Sequence, residues 1–538
     1  MSVSVPTLLA SASPLSGLLP LTVEFSTPSV DSDGYAVTNW NWNFGDGANS
    51  TAQNPSHTYS VPGIYSATLS VVSTYGLDSI IYAYGPITVT NLPNPAFKLL
   101  HGFSAGTGNS YITNSDGVGP DGDLVLFGNT LYGDAREGGT NGTGTVFAVN
   151  TDGSGFTNIY NLTASNGGLP VGGLVSSGAS LFGVGDTVFG LSTNGTGYTN
   201  LYTFVFSVFS ASGYEAESGL AVVGNILYGT TWYGGTVDQG LLFYVTTNGA
   251  TSGELHEFSR PSYNQYDYAI NYDGIFPSAR LISSGGTLYG TTEQGGANGS
   301  GTIFSLITNQ PGSFNPIHSF AAINISNGTN TEGAFSFSGL VISGNTLYGT
   351  ALGGGTTGNG TIFAVNTDGS GFTNLYSFKG GSDGSEPQAG LTLSGGVLYG
   401  TTSIGGYFNK GTLFSIRTNG LGYNSLYSFT GGADGSSPKS DLLLSGNVLY
   451  GTASAGGPSG NGTIFGFVLP TQLNIALAGT NVVLTWAANN VTNMLQSTLK
   501  LQTGAVWSAV SPLPVVINGM NTVTNPVTAA PKYYRLAP

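Results

Sequence analysis

A sevenfold internal repeat constrains the fold of this 538-residue chain more than any other feature. The string LYG, or LFG in one copy, recurs at intervals of 46 to 61 residues, with its aromatic side chain at Tyr132, Phe182, Tyr228, Tyr289, Tyr348, Tyr399 and Tyr450. An apolar run such as GLVISG (339–344) precedes each copy. Strings such as GTIFAV (360–365) and NLYSF (374–378) follow it. Regular repeats of about this length are typical of solenoids and propellers.

Each unit predicts four short antiparallel strands. The alternation in TLYGT (346–350) and TIFAV (361–365) has the two-residue period of half-buried strands. The Gly- and Asn-rich strings between them are typical of tight turns. Seven four-stranded units predict an all-β fold with a seven-bladed β-propeller. The alternative is a β-solenoid, but its rungs are usually shorter and its period steadier.

The string KLLHGF (98–103) resembles the last strand of a unit, yet it stands before the first unit. The seventh unit ends at GTIFGF (462–467), where the chain enters LPTQLN, and so it lacks that strand. We therefore expect residues 98–103 to pair with the seventh unit and close the ring, which removes an exposed sheet edge. The predicted propeller spans residues 98–467.

Composition narrows the class of protein further. The chain has 86 Gly, no Cys, 7% charged residues and a net charge of −15. A chain without cysteine has neither disulfides nor a thiolate site, and its negative charge argues against nucleic acid as a partner. No run of about 18 apolar residues predicts a membrane span. We expect an extracellular or cell-surface protein. The opening segment lacks the basic stretch of a signal peptide, so if the protein is secreted, the signal has been removed or the chain is a mature or trimmed form.

The flanking segments predict two further β-sandwiches, at residues 1–92 and 468–538. In WNWNFGDG (40–47), Trp42 and Phe44 alternate with polar residues as core positions, and the GDG string forms a tight turn. Tyr59 and Tyr65 are expected to pack against them. Residues 93–97, which contain Pro93 and Pro95, form a short stiff linker to the repeat.

The flanking segments also differ in charge. Residues 1–97 contain five acidic and no basic residues, whereas residues 468–538 contain Lys500, Lys532 and Arg535 and no acidic ones. This predicts self-association, head to tail, between N- and C-terminal domains, which extends into a filament unless it closes.

Three sets of strings resemble known families. WNWNFGDG followed by HTY (57–59) resembles a PKD domain. LYGTTxxGG and GTIFxVNTDGSGFTNLYSF resemble the GloVer (Gloeobacter/Verrucomicrobia) tandem repeat over about 370 residues. LQST, NGxNTVT and YYRL near the end resemble an Ig/FnIII-like module of verrucomicrobial exported proteins. The resemblance implies a surface or exported protein, with PKD as a spacer or weak binding module, and it implies no general enzymatic activity.

Candidate site residues follow the repeat. A DGxxP turn places Asp116, Asp273, Asp383 and Asp434 between successive units, on one face of the predicted ring. Together they predict a site for Ca²⁺ or a polar ligand at the ring mouth. The alternative is that each Asp caps its own turn. Trp232 and Tyr233 are candidates for stacking on sugars.

Two smaller groups, of aspartates and of histidines, also contain side chains that can bind a metal. Asp31, Asp33 and Asp46 resemble a calcium-binding DxD turn, although such a string also occurs in ordinary loops. His101, His256 and His318 occupy the second position of the L-[YH]-x-F strand, where other units have Tyr. His57 belongs to the HTY string. A structural role is expected for all four histidines.

Together these features predict a non-enzymatic exported protein, structural or adhesive, that assembles into an extracellular fibre or surface layer. The first alternative is a propeller that binds glycans or another ligand, with PKD as spacer. The second is a polysaccharide-degrading enzyme, which would need two carboxylates roughly 5–10 Å apart in a cleft. The sequence marks no such pair.

Overall fold

The computed structural model describes residues 10–18, 21–30, 35–59, 61, 63–74, 78–82, 86–90, 96–108, 112–204, 216, 218–310, 312–469, 474–487, 494–499, 506–517, 520–527 and 532–537. Over these ranges the chain is all-β, apart from one turn of 3-10 helix at Gly381–Asp383. None of the described helical residues forms a segment long and apolar enough to cross a membrane.

The N-terminal strands form three small sheets, with the orders β1-β3-β6, β2-β10-β7 and β5-β4-β8-β9. Their bounds are β1 (Ser11–Ser13), β2 (Ser16–Leu18), β3 (Leu21–Ser26), β4 (Val37–Asn43), β5 (Asn49–Ser50), β6 (Ser56–Tyr59), β7 (Gly63–Tyr65), β8 (Thr68–Ser73), β9 (Asp78–Tyr82) and β10 (Ile87–Thr90).

Aromatic side chains fill the core of the N-terminal sheets, as predicted. Trp42 and Phe44 are buried, and each packs on Phe25, with ring centroids 5.1 and 5.0 Å apart. The buried Tyr59 donates its hydroxyl to the carbonyl oxygen of Phe44 at 2.9 Å and stacks on Tyr65 at 4.4 Å. The phenol therefore fixes the strand end that leads into the GDG turn.

The repeat region forms seven four-stranded antiparallel sheets, here called sheets 1 to 7 in chain order. It begins with β11 (Phe97–Gly102), which belongs to sheet 7. Sheets 1 to 3 contain β12 (Val125–Phe127), β13 (Thr130–Ala135), β14 (Thr145–Asn150), β15 (Thr157–Asn161), β16 (Val171–Ser177), β17 (Ser180–Val184), β18 (Thr187–Ser192), β19 (Thr199–Thr203), β20 (Ala221–Val223), β21 (Ile226–Thr231), β22 (Leu241–Thr246) and β23 (Ser252–Glu257). A small hairpin follows, of β24 (Ser262–Tyr263) and β25 (Ala269–Ile270).

Sheets 4 to 7 continue the pattern. They contain β26 (Ile282–Ser284), β27 (Thr287–Thr292), β28 (Thr302–Ile307), β29 (Asn315–Ser319), β30 (Val341–Ser343), β31 (Thr346–Ala351), β32 (Thr361–Asn366), β33 (Thr373–Ser377), β34 (Thr392–Ser394), β35 (Val397–Thr402), β36 (Thr412–Arg417), β37 (Asn424–Ser428), β38 (Leu443–Ser445), β39 (Val448–Ala453) and β40 (Thr463–Val468).

Strand β11 supplies the fourth strand of sheet 7, as KLLHGF predicts. It pairs antiparallel with β40, with Phe97 opposite Phe467 and Leu99 opposite Phe465, and a bulge lies between Leu99 and His101. A strand from the start of the repeat thus completes a sheet made from its end.

The second strand of each unit is buried on both faces, so the prediction of half-buried strands is wrong. In β31, every residue after Thr346 is buried. Leu347 packs with Tyr289 of sheet 4, whereas the neighbouring Tyr348 packs with Leu398 of sheet 6. The two-residue period therefore alternates between two neighbouring sheets rather than between core and solvent.

The same sharing of side chains occurs at seven junctions, in the order 1-2, 2-3, 3-4, 4-5, 5-6, 6-7 and 7-1. At the last of these, Tyr450 and Ile464 of sheet 7 pack with Leu131 and Phe147 of sheet 1. The succession of packed sheets consequently returns to its starting point.

Close packing explains why the LYG string has glycine at its third position. A Cβ on Gly349 would lie 2.6 Å from Cζ of Phe363, in the adjacent β32. The corresponding glycine in each of the other six units meets the equivalent Phe ring at 2.4–2.8 Å. The G of LYG and the F of GTIF thus form one packing unit.

The C-terminal strands form two sheets, with the orders β41-β42-β46-β45 and β44-β43-β47. Their bounds are β41 (Asn474–Ala478), β42 (Asn481–Ala487), β43 (Met494–Thr498), β44 (Ser508–Ala509), β45 (Val515–Ile517), β46 (Met520–Pro526) and β47 (Tyr533–Ala537). A small core of Leu484, Trp486, Leu495, Val510 and Val523 joins them.

Candidate functional site

The DGxxP carboxylates bind their own units. Asp116 lies 3.0 Å from Nε2 of His101 and accepts a 3.0 Å hydrogen bond from the Ser104 amide. Asp273 repeats this contact with His256, at 3.1 Å, and with the Ser259 amide, at 2.9 Å. Both Asp residues thus cap the end of the outer strand that carries the histidine.

Tyrosine takes the place of histidine in two other units. Tyr376 donates its hydroxyl to Asp383 at 2.8 Å, and Tyr427 donates to Asp434 at 2.9 Å. Glu332, in the loop between sheets 4 and 5, lies 3.0 Å from Nε2 of His318 in β29. Within the described part of the chain, no hydrogen bond or ion pair joins two of these acids. These contacts favour the capping role over a shared ligand site.

Electrostatics agrees with the capping role of these acids. Burial by itself would raise the pKa of the Asp116 carboxyl, but hydrogen bonds from His101 and Ser104 outweigh it and lower the pKa. The same balance lowers the pKa of Asp273 and of Glu332. The ionised form of each acid is therefore the one that the fold stabilises.

The predicted calcium turn lies only partly within the described residues. Asp31 and Asp33 are outside them. Asp46 lies 2.7 Å from Nε2 of His57 and accepts a 3.0 Å hydrogen bond from the Ala48 amide. Across the described ranges, no group of three or more His, Asp or Glu side chains is arranged to hold a metal ion.

Trp232 and Tyr233 are half-buried in the loop after β21. Their rings stack at 5.5 Å, and both meet the edge of Phe276, at 6.0 and 5.4 Å. The indole Nε1 of Trp232 is buried and has no hydrogen-bond partner among the residues that the structure describes. The pair thus packs on the loop between sheets 3 and 4.

A charged cluster occupies a register position that the sequence analysis did not single out. The residue immediately before the leucine that opens the first strand of each unit is glycine in four units and charged in three. In chain order these residues are Asp123, Gly173, Gly219, Arg280, Gly339, Gly390 and Asp441. Three charged side chains therefore replace glycine at one level of the repeat.

The three charged residues meet. Arg280 of the fourth unit places Nη2 2.9 Å from Oδ2 of Asp441 and Nη1 3.4 Å from Oδ2 of Asp123. The Asp441 amide donates to Oδ1 of Asp123 at 2.8 Å, and the Gly390 amide donates to Oδ1 of Asp441 at 2.5 Å. Because these contacts join units 1, 4, 6 and 7, the first strands of those sheets face a common centre.

A cavity of about 210 Å³ lies at this centre. The cavity wall includes the residues that lie two positions before the glycine or charged residue of each unit. In chain order these are Asp121, Val171, Ser278, Phe337, Gln388 and Lys439. Glu217 holds that position in the third unit and is outside the described residues. Arg136, Arg280 and Asp441 also line the cavity. It therefore holds carboxylates and cations side by side.

Burial changes the acidity of this cluster. It raises the pKa of the Asp123 carboxyl to about 7, with the charge of Asp441 adding to the effect and Arg280 opposing it. Burial also raises the pKa of Asp121, against the attraction of Arg136 and Lys439. The centre thus binds protons at a higher pH than ordinary carboxylates do.

Asp134 lies close to Asp121 and Asp123 but does not line the cavity. It is 0% exposed, and neither carboxylate oxygen has a hydrogen-bond partner among the described residues. Burial and the charges of Asp121 and Asp123 raise its pKa well above the ordinary value. In the fifth unit this position is Thr350, which donates to the Ala389 carbonyl oxygen of the next unit at 2.9 Å. A protonated Asp134 has a hydroxyl group with which it can replace that donor.

Family models match two parts of the chain. The model described as the Gloeobacter/Verrucomicrobia repeat matches residues 271–465 and 322–507, and the PKD domain model matches residues 19–82. The chain therefore carries a PKD domain followed by Gloeobacter/Verrucomicrobia repeats, as the strings of both families predict.

Individual relatives are more distant. Collagenase ColA of Bacillus cereus is 36% identical over 66 residues, which are 12% of this chain and 7% of that protein. The PKD1 domain of the Vibrio cholerae metalloprotease PrtV is 28% identical over 16% of this chain and 98% of its own, with a TM-score of 0.14. A quinoprotein alcohol dehydrogenase-like protein from Bacteroides thetaiotaomicron is 12% identical over 78% of this chain and 96% of its own, with a TM-score of 0.36.

Proposed function

We propose that this protein is an exported, non-enzymatic structural or adhesive protein, in which the seven sheets are the blades of one β-propeller between two sandwich domains. The cyclic order of the seven inter-sheet clusters is the observation that carries the proposal. The domain bounds that accompany it are 1–92, 98–467 and 468–538, with residues 93–97 as linker.

Closure of the ring by β11 can be tested with two adjacent leucines. Leu100 is 6% exposed and packs with Phe103, Phe147 and Ile464, whereas Leu99 is 38% exposed. Leu100→Ala is expected to lower the free energy of unfolding by about 2–4 kcal/mol and Leu99→Ala by much less. Equal, small effects in urea titrations would contradict closure through this strand.

The family matches support export and the absence of an enzymatic activity. PKD and repeat domains of this kind are typically non-catalytic, and the similarity to collagenase ColA covers only 7% of that protein. The DGxxP acids accept hydrogen bonds within their units, and Asp123 and Asp441 share Arg280. Neither arrangement resembles the free acid pair that the glycosidase alternative needs.

Head-to-tail assembly is the proposed structural role. The acidic N-terminal and basic C-terminal domains attract each other weakly, because exposed ion pairs contribute only about 0–1 kcal/mol each. Strand addition must therefore supply most of the contact. Edge strand β41 exposes Leu477 (77%) and Ile475 (57%), and edge strand β7 exposes Ile64 (54%). We propose that β41 of one copy pairs with β7 of the next.

Light scattering and negative-stain electron microscopy of the purified chain test this assembly, with calcium and with chelator. Filaments or sheets are expected from the wild type, and Leu477→Lys should abolish them by placing a charge on the edge strand. Val506→Lys, at an 81% exposed residue outside the strands, is the matched control. Monomers at high protein concentration in both low and high salt would contradict the assembly.

A ligand-binding propeller is the second candidate. The charged central cavity favours it, since the cavity gathers donors and acceptors from several units. A glycan array probed with the full chain tests it, and silence on every glycan would remove this candidate.

A further inference from the structure

We infer that the central cavity binds a single sugar residue or a polyol of the same size. This inference rests on the adhesive form of the proposed function, and it names the class of ligand to which the protein would adhere. The proposed site is the central cavity, in place of the site predicted at Trp232 or at the DGxxP turns.

Unsatisfied polar groups in the cavity wall point to a ligand. Ser278 is 9% exposed, lines the cavity, and has a buried hydroxyl with no hydrogen-bond partner among the described residues. Oδ1 of Asp121, on the same wall, is also buried and has no partner within the described ranges. Buried polar atoms are rarely left unpaired. Both side chains line the cavity, so a rotation of either one would turn its unpaired atom toward a molecule held there.

The mixture of charges disfavours a simple cation or anion and suits a ligand that both donates and accepts hydrogen bonds. A cation in the cavity would face Arg136, Arg280 and Lys439, and an anion would face Asp121, Asp123 and Asp441. A sugar hydroxyl both donates and accepts hydrogen bonds. Two neighbouring hydroxyls can therefore donate to Asp121 and accept from Lys439 at the same time. The Gln388 amide offers a further donor and acceptor on the wall.

Cavity size limits the ligand to one sugar residue. The volume of about 210 Å³ is below the range of roughly 300–1,000 Å³ that holds drug-sized ligands. Phe337 and Val171 provide the apolar part of the wall, against which the carbon face of a sugar ring can pack. A chain end, rather than the interior of a long glycan, is thus the part that fits.

Gly339 permits a blocking variant. A Cβ at this residue would lie 3.4 Å from the Arg280 carbonyl oxygen and 3.5 Å from Oδ2 of Asp441, which are ordinary contacts. A larger side chain would extend from there into the cavity, because Gly339 is part of its wall. Gly339→Leu therefore fills the cavity without replacing any of its charged residues.

Saturation-transfer NMR and calorimetry of the full chain test the inference. The probes are glucose, galactose, mannose, xylose and N-acetylglucosamine, each titrated separately. We expect at least one to bind with a dissociation constant on the order of 1 mM, as suits a ligand of this size. Asp121→Asn and Ser278→Ala should weaken binding about tenfold, and Gly339→Leu should abolish it.

The control is Asp368→Asn, in an exposed turn of the fifth unit, where the carboxylate bonds only Ser370. Its binding should equal that of the wild type, and thermal unfolding must show that each variant is folded. Absence of binding by all five sugars, or binding that survives Gly339→Leu, would overturn the inference. Filaments that persist without sugar binding would overturn this site alone and leave the structural role intact.

Discussion

Arg280 and Asp441, 161 positions apart in the chain, join at 2.9 Å in the centre of the repeat. The same guanidinium lies 3.4 Å from Asp123, so one cation contacts carboxylates from the first and last units. The Arg280 side chain is 38% exposed toward the cavity, and solvent therefore screens part of the attraction.

Arg280→Met is expected to lower the free energy of unfolding by about 2 kcal/mol, because it leaves Asp123 and Asp441 facing each other without a cation. Urea titration at neutral pH measures the loss. Adding Asp123→Asn to Arg280→Met should recover part of the loss, since Asp441 then faces a neutral amide instead of a second carboxylate. A single variant as stable as the wild type would show that this contact contributes nothing.

The raised pKa of Asp123, about 7, predicts a pH dependence of stability. Between its ordinary pKa and pH 7 the folded state binds more protons at this group than the unfolded state does. The contribution of Asp123 is therefore fully present below about pH 4 and declines as the pH rises through 7, by at most about 4 kcal/mol. Urea titrations from pH 5 to 8 should show a shallower decline for Asp123→Asn than for the wild type.

Acids with lowered pKa values act in the opposite sense. Asp116, Asp273 and Glu332 contribute stability that is lost as the pH falls through their folded-state values. The comparison must therefore stay above about pH 5, where these three remain ionised. An identical slope for Asp123→Asn and the wild type over that window would contradict the assignment.

Asp134→Thr should stabilise the protein at neutral pH by about 1–3 kcal/mol, because it removes a buried carboxyl group without partners and restores a donor used in other units. The reciprocal change, Thr350→Asp, places the acid in the fifth unit and should destabilise by a similar amount. Thermal and urea unfolding of both variants at pH 7 test the pair. Destabilisation by both changes would instead mean that Asp134 has a partner in solution.

Gly349→Ala is expected to cost about 1–3 kcal/mol, since its methyl group would overlap the Phe363 ring. Phe363→Leu in the same chain should return part of that loss by making room. Gly339→Ala is the control, because its methyl group meets nothing nearer than 3.4 Å. Equal stability of Gly349→Ala and Gly339→Ala would disprove the packing explanation for the LYG string.

The sequence predicted local structure well and long-range contacts poorly. Turn residues and strand periodicity identified the four strands of each unit, and the displaced KLLHGF string identified the pairing of β11 with β40. The same periodicity suggested solvent on one face, whereas the structure places a neighbouring sheet there, as Leu347 and Tyr348 show. A two-residue hydrophobic period indicates that the two faces of a strand have different surroundings. It does not indicate whether solvent or another sheet covers each face.

Among the candidate site residues, the DGxxP acids were visible because they recur. Asp123, Arg280 and Asp441 were overlooked because they depart from the repeat, at a position that is glycine in most units. The signal was present: a charged residue where the other units have glycine. Alignment of the repeats shows that the three residues occupy equivalent positions in their units. It does not show that the Arg280 side chain of the fourth unit contacts the first and the seventh units.

The three departures from glycine also distinguish units that are otherwise nearly interchangeable. A misfolded ring that skipped a unit, or that borrowed one from a second molecule, could reproduce most of the strand pairing and aromatic packing. It would separate Arg280 from one or both of its carboxylates and leave buried charge uncompensated. The central cluster thus gives the correct order and number of units an energetic advantage over the mistakes to which a repetitive chain is most prone.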